Sequence, residues 1–216
     1  MSEPPFLDVY TRLLARFGPQ HWWPGDGPDE MIIGAILVQN TAWTHASKAI
    51  DQLKLHSAID WPVLYATEVQ VLAEWIRPAG YYNSKAKKLK AFATCVVETY
   101  AGQLNRLFDA PDEVLRNRLL AIWGIGPETA DCIMLYAAER PVFVIDTYTR
   151  RLLTRHRWAA ENEDYKALSR LFSLQLRGDT GLYNEFHALI VELGKRYCRA
   201  TPMCDGCPLE TFLPKE

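Results

Sequence analysis

The chain carries no excess of basic charge. Across its 216 residues, 24 lysines and arginines stand against 26 aspartates and glutamates, for a net charge of −2. A globally basic nucleic-acid binder is thereby excluded, and any contact with a polyanion has to come from a local basic face. No stretch approaches the roughly eighteen apolar residues of a membrane span. No charged segment followed by an apolar run marks the start as a secretion signal. The expectation is a soluble, cytoplasmic monomer of bacterial or archaeal, nucleoid-associated type. Long alternation of apolar and polar residues is also missing, so no sheet face can be written. Repeats, low-complexity tracts and long linkers are missing too. Cysteine is sparse, at 5 residues. Cys95 and Cys132 fall in apolar helical contexts and read as inert buried thiols. Cys198, Cys204 and Cys207 are closely spaced, which in a reducing compartment suggests metal before disulfide.

What is present reads as helix after helix, and the expected fold class is all-α. Hydrophobic residues make up 49% and charged residues 23%, enough for a sizeable core. Pro5 to Phe17 places Phe6, Val9, Leu13 and Leu14 on one side of a helix. Asp29 to Val38 is too apolar to lie on a surface. Helices also fit 44–55, 61–66, 68–76, 83–100, 111–122, 127–138, 146–157, 164–175 and 181–194, punctuated by Pro62, Pro78-Ala79-Gly80, Pro111, Gly124, Gly126, Pro141 and Gly178. Pro141 to Ile145 is a short strand or a buried connector. Seven tryptophans and ten tyrosines supply mostly core packing. Local basic clusters occur at Lys85, Lys87, Lys88 and Lys90, at Arg150, Arg151, Arg155 and Arg157, and at Lys195, Arg196 and Arg199; each alone reads as a solvated helix face.

The most informative segment is Leu119-Leu120-Ala121-Ile122-Trp123-Gly124-Ile125-Gly126-Pro127-Glu128-Thr129-Ala130-Asp131. Two glycines flank one apolar residue between two helices, where backbone needs a left-handed conformation or close approach. Pro127 suits a first helical position. Ala130, Ile133, Met134 and Ala137 form the buried stripe of the second helix. Its free amides and dipole face the hairpin and suit a phosphate. Downstream, Asp146 ends the run Val144-Ile145 and opens Thr147-Tyr148-Thr149-Arg150-Arg151; taken by itself it is an N-cap.

Together the hairpin and the Val-Ile-Asp-Thr run resemble the helix-hairpin-helix, Gly/Pro-Asp signature of the endonuclease III superfamily of DNA glycosylases. Gly80-Tyr81-Tyr82-Asn83-Ser84-Lys85-Ala86 resembles the family's Gly-x-Tyr-Asn-x-Lys-Ala loop. Gly34 to Thr41 resembles the helix end that carries its DNA-probing Gln, here Gln39. The resemblance implies two helical lobes with double-stranded DNA between them. A six-helix barrel would span 24–135, with the helix-hairpin-helix at about 111–138, and 1–23 would join 136–216, which holds a Cys loop at 198–207. Asp146 would lie at the junction as the catalytic carboxylate, stabilising oxocarbenium character and activating water. The enzyme would be a base flipper. Gln39 would fill the gap, Tyr81 would wedge the opposite strand, and the amides around Gly124 and Gly126 would hold a phosphate. Asn40, Asn83, Lys85, Thr129 and Arg150 would contact DNA, and a structural monovalent cation at the hairpin is a further expectation.

Departures from the family pattern narrow this expectation. Bifunctional members carry a Schiff-base lysine two residues after the second Gly; Glu128 stands there, which implies hydrolysis without efficient lyase activity. His21-Trp22-Trp23-Pro24 and Asn40-Thr41-Ala42-Trp43 resemble the 3-methyladenine DNA glycosylase III subgroup, in which such aromatics sandwich an alkylated purine. Trp43 and at least one of Trp22 and Trp23 are therefore candidates for the base pocket, and lobe packing is the alternative role. His187 and Asn184 read as interhelix hydrogen-bond partners. Cys198-x5-Cys204-x2-Cys207 resembles the family's four-Cys iron–sulfur loop, but Leu213 occupies the fourth position. A [4Fe–4S] cluster on three thiolates and another ligand, a vestigial loop, or zinc stay open. An oxidised-pyrimidine or mismatch glycosylase and a non-catalytic lesion sensor remain as alternative functions.

Overall fold

A computed structural model describes residues 3–22 and 25–214. It is all-α: twelve α-helices and short 3₁₀ and π turns, with no strand among the described residues. The chain divides into two compact units, Gly25–Glu139 and the segments on either side of it.

Unit Gly25–Glu139 contains α2 (Gly27–Leu37), α3 (Trp43–Leu55), α4 (Trp61–Ala66), α5 (Val69–Trp75), α6 (Tyr82–Thr94), α7 (Leu104–Phe108), α8 (Asp112–Ala121) and α9 (Pro127–Cys132). α2 is its axis: Ile32 to Leu37 are all buried, as a helix apolar on every side requires. Prolines open α2, α4 and α9 in the first turn, where their missing N–H would have had no partner. Asp60 caps α4 by accepting from the Val63 amide at 2.9 Å. At the other end of α4, the Lys90 ammonium donates to the carbonyls of Tyr65 and Thr67, a cation on the negative end of the helix.

Spacing alone predicts uniform helices over 83–100 and 127–138. In both, the last turn widens to π, over Cys95–Thr99 and Ile133–Ala137. The wider turn brings Leu135 and Tyr136 into the core alongside Ile133 and Met134, while Ala137, expected inside, is half-buried. α7 escaped the pattern because five residues are too few to display a helical period. Cys95 and Cys132 are half-buried rather than buried, and burial still pushes the Cys95 thiol up.

The second unit contains α1 (Phe6–Phe17), α10 (Thr147–Arg155), α11 (Tyr165–Leu176) and α12 (Thr180–Arg196). Its core is an aromatic stack: Phe6 on Phe172 at 4.0 Å and Phe172 on Phe143 at 3.7 Å between ring centroids, with Phe186 meeting all three edge-on. Residues 141–145 form no strand. They are a connector that buries Phe143, Val144 and Ile145 and ties its backbone to α11, through Ser169 Oγ on the Phe143 carbonyl at 2.9 Å. Asp146, Asp164 and Asp179 cap α10, α11 and α12.

Candidate active site

Asp146 is a helix cap and more. One carboxylate oxygen accepts from the Thr149 amide at 2.7 Å. The other lies 3.7 Å from His187 Nε2, in ion-pair range, and the Asp146 side chain is 14% exposed. Burial alone would push this carboxyl up; the His187 imidazole and the Thr149 amide more than offset that and hold it below the usual carboxylate value. Asp146 is therefore an ionised acceptor at neutral pH, able to stabilise positive charge or take a proton from water.

Helix packing creates the pair. Gly194 on α12 faces the Tyr148 ring of α10, and a Cβ there would collide with that ring. The close approach sets His187, two turns earlier on α12, beside Asp146, the N-cap of α10. His187 thus bridges α10 and α12 at ion-pair range, rather than at the hydrogen-bond distance expected of it. Its ring stacks on Trp22, with centroids 5.6 Å apart and planes 12° from parallel, and Lys195 Nζ lies 5.9 Å from the Trp22 ring centre. Of the two adjacent tryptophans, Trp22 thereby joins the Asp146 neighbourhood; Trp23 lies outside the described residues.

The hairpin belongs to the other unit. Gly124 sits at φ +86°, and a Cβ there would collide with the Lys88 stem, so both reasons for glycine hold at this position. Gly126 is the N-cap of α9 at φ −91°, and a Cβ there would meet nothing within 4 Å. Glu128 is exposed in the first turn of α9. Gln39 Nε2 donates to Thr129 Oγ1 at 2.9 Å and to the Gly124 carbonyl at 3.3 Å, and the Lys88 ammonium donates to Gln39 Oε1. Across the hairpin, Arg116 Nε on α8 meets Asp131 Oδ1 on α9 at 2.7 Å, and Asp131 is 1% exposed.

Several expected DNA contacts stand elsewhere. Lys85 is buried, and its ammonium donates to the Ala79 carbonyl at 2.8 Å. Burial and the nearby Lys88 charge push its pKa down to about 8. In the free protein its charge serves the turn before α6. The Thr129 hydroxyl is likewise inside, on Gln39. Arg150 donates to the Glu163 carbonyl at 2.7 Å. Tyr81, Asn83 and Asn40 are exposed; Tyr81 and Asn40 have left-handed backbone, at φ 47° and 54°. Trp43 is half-buried at the start of α3.

Cys198, Cys204, Cys207 and Leu213 line one cavity with His156 and Glu210. The donor set does not fit a four-thiolate cluster, because Leu213 offers no lone pair where the fourth sulfur would be. Among the described residues no group of His, Cys, Asp and Glu is arranged to hold a metal. Arginines brace the loop instead. Arg155 donates to Cys198 Sγ at 3.2 Å and to the Arg199 and Ala200 carbonyls at 2.6 and 2.8 Å, while Arg151 donates to the Cys198 carbonyl at 2.8 Å.

With this geometry in hand, comparison with known proteins is decisive. Residues 33–177 match the HhH-GPD superfamily of base excision DNA repair proteins. The chain belongs to this superfamily. A Methanocaldococcus jannaschii protein that carries the name of a DNA repair glycosylase is 40% identical over 205 residues, covering 94% of this chain and 93% of its own. Endonuclease III of Sulfolobus acidocaldarius is 30% identical, covering 84% and 79%. The Helicobacter pylori 3-methyladenine DNA glycosylase bound to 1,N6-ethenoadenine superposes with a TM-score of 0.77 at 29% identity, covering 88% of this chain and 97% of that one. An endonuclease III–DNA complex shares the fold, with a TM-score of 0.82 at 19% identity. The activity class is DNA glycosylase, acting in base excision repair, and no described helix is long and apolar enough to cross a membrane.

The site residues that pattern reading missed are Lys88, Arg116, Asp131 and Arg155. Opposite charges on the two helices of a hairpin are a usable signal for Arg116 and Asp131. Lys88 and Gln39 are 49 residues apart, and no local pattern links them.

Proposed function

We propose that this chain is a monofunctional DNA glycosylase that flips an N-alkylated purine, 3-methyladenine among them, out of double-stranded DNA and hydrolyses its N-glycosidic bond with water. The observation that carries the reading is the ionised Asp146 carboxylate, held by Thr149 and His187, in a superfamily member with Glu128 at the position of the lyase lysine. A carboxylate cannot form a Schiff base.

The chemistry follows from those groups. As the bond from C1′ to the base lengthens, its electron pair leaves with the base and positive charge grows on the sugar. The Asp146 carboxylate stabilises that charge and takes the proton of the water that attacks C1′. An N-alkylated purine is already cationic and leaves as a neutral base, so a modest catalyst suffices. Cationic rings also gain about 0.5–2 kcal/mol over an aromatic face. Trp22, stacked on His187, is the face supplied from the Asp146 side, and Trp43 is the second candidate. The hairpin amides after Gly124 hold a phosphate, Tyr81 wedges the opposite strand and Gln39 fills the gap left by the flipped base. The similar Helicobacter pylori structure, a 3-methyladenine DNA glycosylase bound to 1,N6-ethenoadenine, supports a modified purine as the substrate.

The test is base release from duplexes carrying 3-methyladenine, 7-methylguanine, hypoxanthine, thymine glycol or uracil, with a borohydride-trapping arm. Release confined to the purines, with no trapped complex, is expected. Covalent trapping would turn the reading to an endonuclease III-type lyase, and binding without any release would turn it to a lesion sensor.

A further inference from the structure

α6 carries Lys85, Lys87, Lys88 and Lys90. The ammoniums of Lys85 and Lys90 serve backbone carbonyls, whereas Lys88 reaches the hairpin. Its stem passes beneath Gly124, close enough that a Cβ would come 2.9 Å from Lys88 Cδ. Its ammonium donates to Gln39 Oε1. The amide of Gln39 in turn donates to Thr129 Oγ1 and to the Gly124 carbonyl.

We propose that Lys88 is the positioning residue that fixes the orientation of the Gln39 amide and, through it, the hairpin. An ammonium has donors only, and a primary amide has one accepting end and one donating end. With Lys88 charged, Oε1 faces the ammonium and Nε2 faces the hairpin. Turned over, the amide would set its NH₂ against the ammonium and its oxygen against the Gly124 carbonyl. Both contacts are repulsive. The charge on Lys88 therefore selects one of two amide orientations, and only that one ties the loop after α2 to the turn between α8 and α9. Two elements given separate tasks on DNA, the hairpin and Gln39, are set by one side chain. The consequence for base release rests on the function proposed above; the effect on the hairpin does not.

The test compares wild type, Lys88→Met, which keeps the stem without the charge, and Lys88→Arg, which restores donors and charge. Amide hydrogen exchange is read in the free protein, and single-turnover release from a 3-methyladenine duplex is read beside it. A charged hydrogen bond supports about a tenfold effect. Lys88→Met is expected to lower protection at residues 124–130 about tenfold and to slow release by a similar factor, and Lys88→Arg is expected to recover most of both. Unchanged exchange at 124–130, equal loosening of the whole Gly25–Glu139 unit, or no recovery with Lys88→Arg would overturn the proposal. If Lys88→Met does not fold, Gln39→Met takes its place: it should loosen the same amides with Lys88 intact, and unchanged exchange there overturns the proposal equally. If wild type releases no base, the proposed function fails and exchange alone decides the role of Lys88.

Discussion

Replacing Lys85 by methionine tests how the fold bears a buried charge. Lys85 is 2% exposed. Burial, helped by the charge of Lys88, pushes its pKa from 10.5 to about 8. The folded value lies below the unfolded one, so between them the unfolded chain binds the extra proton. Stability must then rise with pH across that window and lie flat below it. At about 1.4 kcal/mol for each pH unit between the two values, the rise totals about 3 kcal/mol. Lys85→Met removes the proton and the slope together, at the loss of the hydrogen bond to Ala79. Urea unfolding of both proteins from pH 7 to 10.5 isolates this group and its coupling to Lys88, because tyrosines and the more distant lysines titrate equally in the two. Wild type is expected to gain about 3 kcal/mol on the variant over that range. A difference that stays constant with pH would show that Lys85 is not held in a low-dielectric site, and the packing around α6 would have to be redrawn.

Other consequences are equally concrete. Gly124→Ala forces a side chain into φ +86° and onto Lys88, and should lower urea stability by about 1–2 kcal/mol or more; Gly126→Ala meets no neighbour within 4 Å and should cost less, about 0.5–1 kcal/mol, for the loss of a glycine N-cap. Asp146 has a lowered pKa in the fold, so it stabilises above its ordinary value and that contribution is lost as pH falls through the folded one. Unfolding profiles should therefore show wild type weakening relative to Asp146→Asn in acid. Arg155→Ala removes donors to Cys198 Sγ and to the Arg199 and Ala200 carbonyls, and amide hydrogen exchange over residues 198–207 should be faster in that variant.

Much of this was legible because it is local. Asp146 followed by Thr149 is a capping pattern, and the cap is there. Gly-Ile-Gly followed by Pro127 sits at a turn between two helices, with Gly124 at positive φ. What was not legible depended on facing or on distance. The lysines of α6 looked like one solvated face, yet Lys85, Leu89 and Phe92 fall at helical spacing, and that stripe points inward. Spacing did not link Trp22 to His187, 165 residues on, yet the two rings stack. His187 reaches Asp146 only because Gly194 lets α12 approach Tyr148, a contact that no single helix encodes.

The central claim is that Asp146 hydrolyses the glycosidic bond without a lysine nucleophile. Single-turnover release of 3-methyladenine from a duplex, measured for wild type and Asp146→Asn at matched DNA occupancy, tests it most directly. Asparagine preserves shape and removes charge. Release by wild type, with Asp146→Asn slower by about a hundredfold or more while binding is retained, is the predicted result. Equal rates for the two proteins would contradict the account.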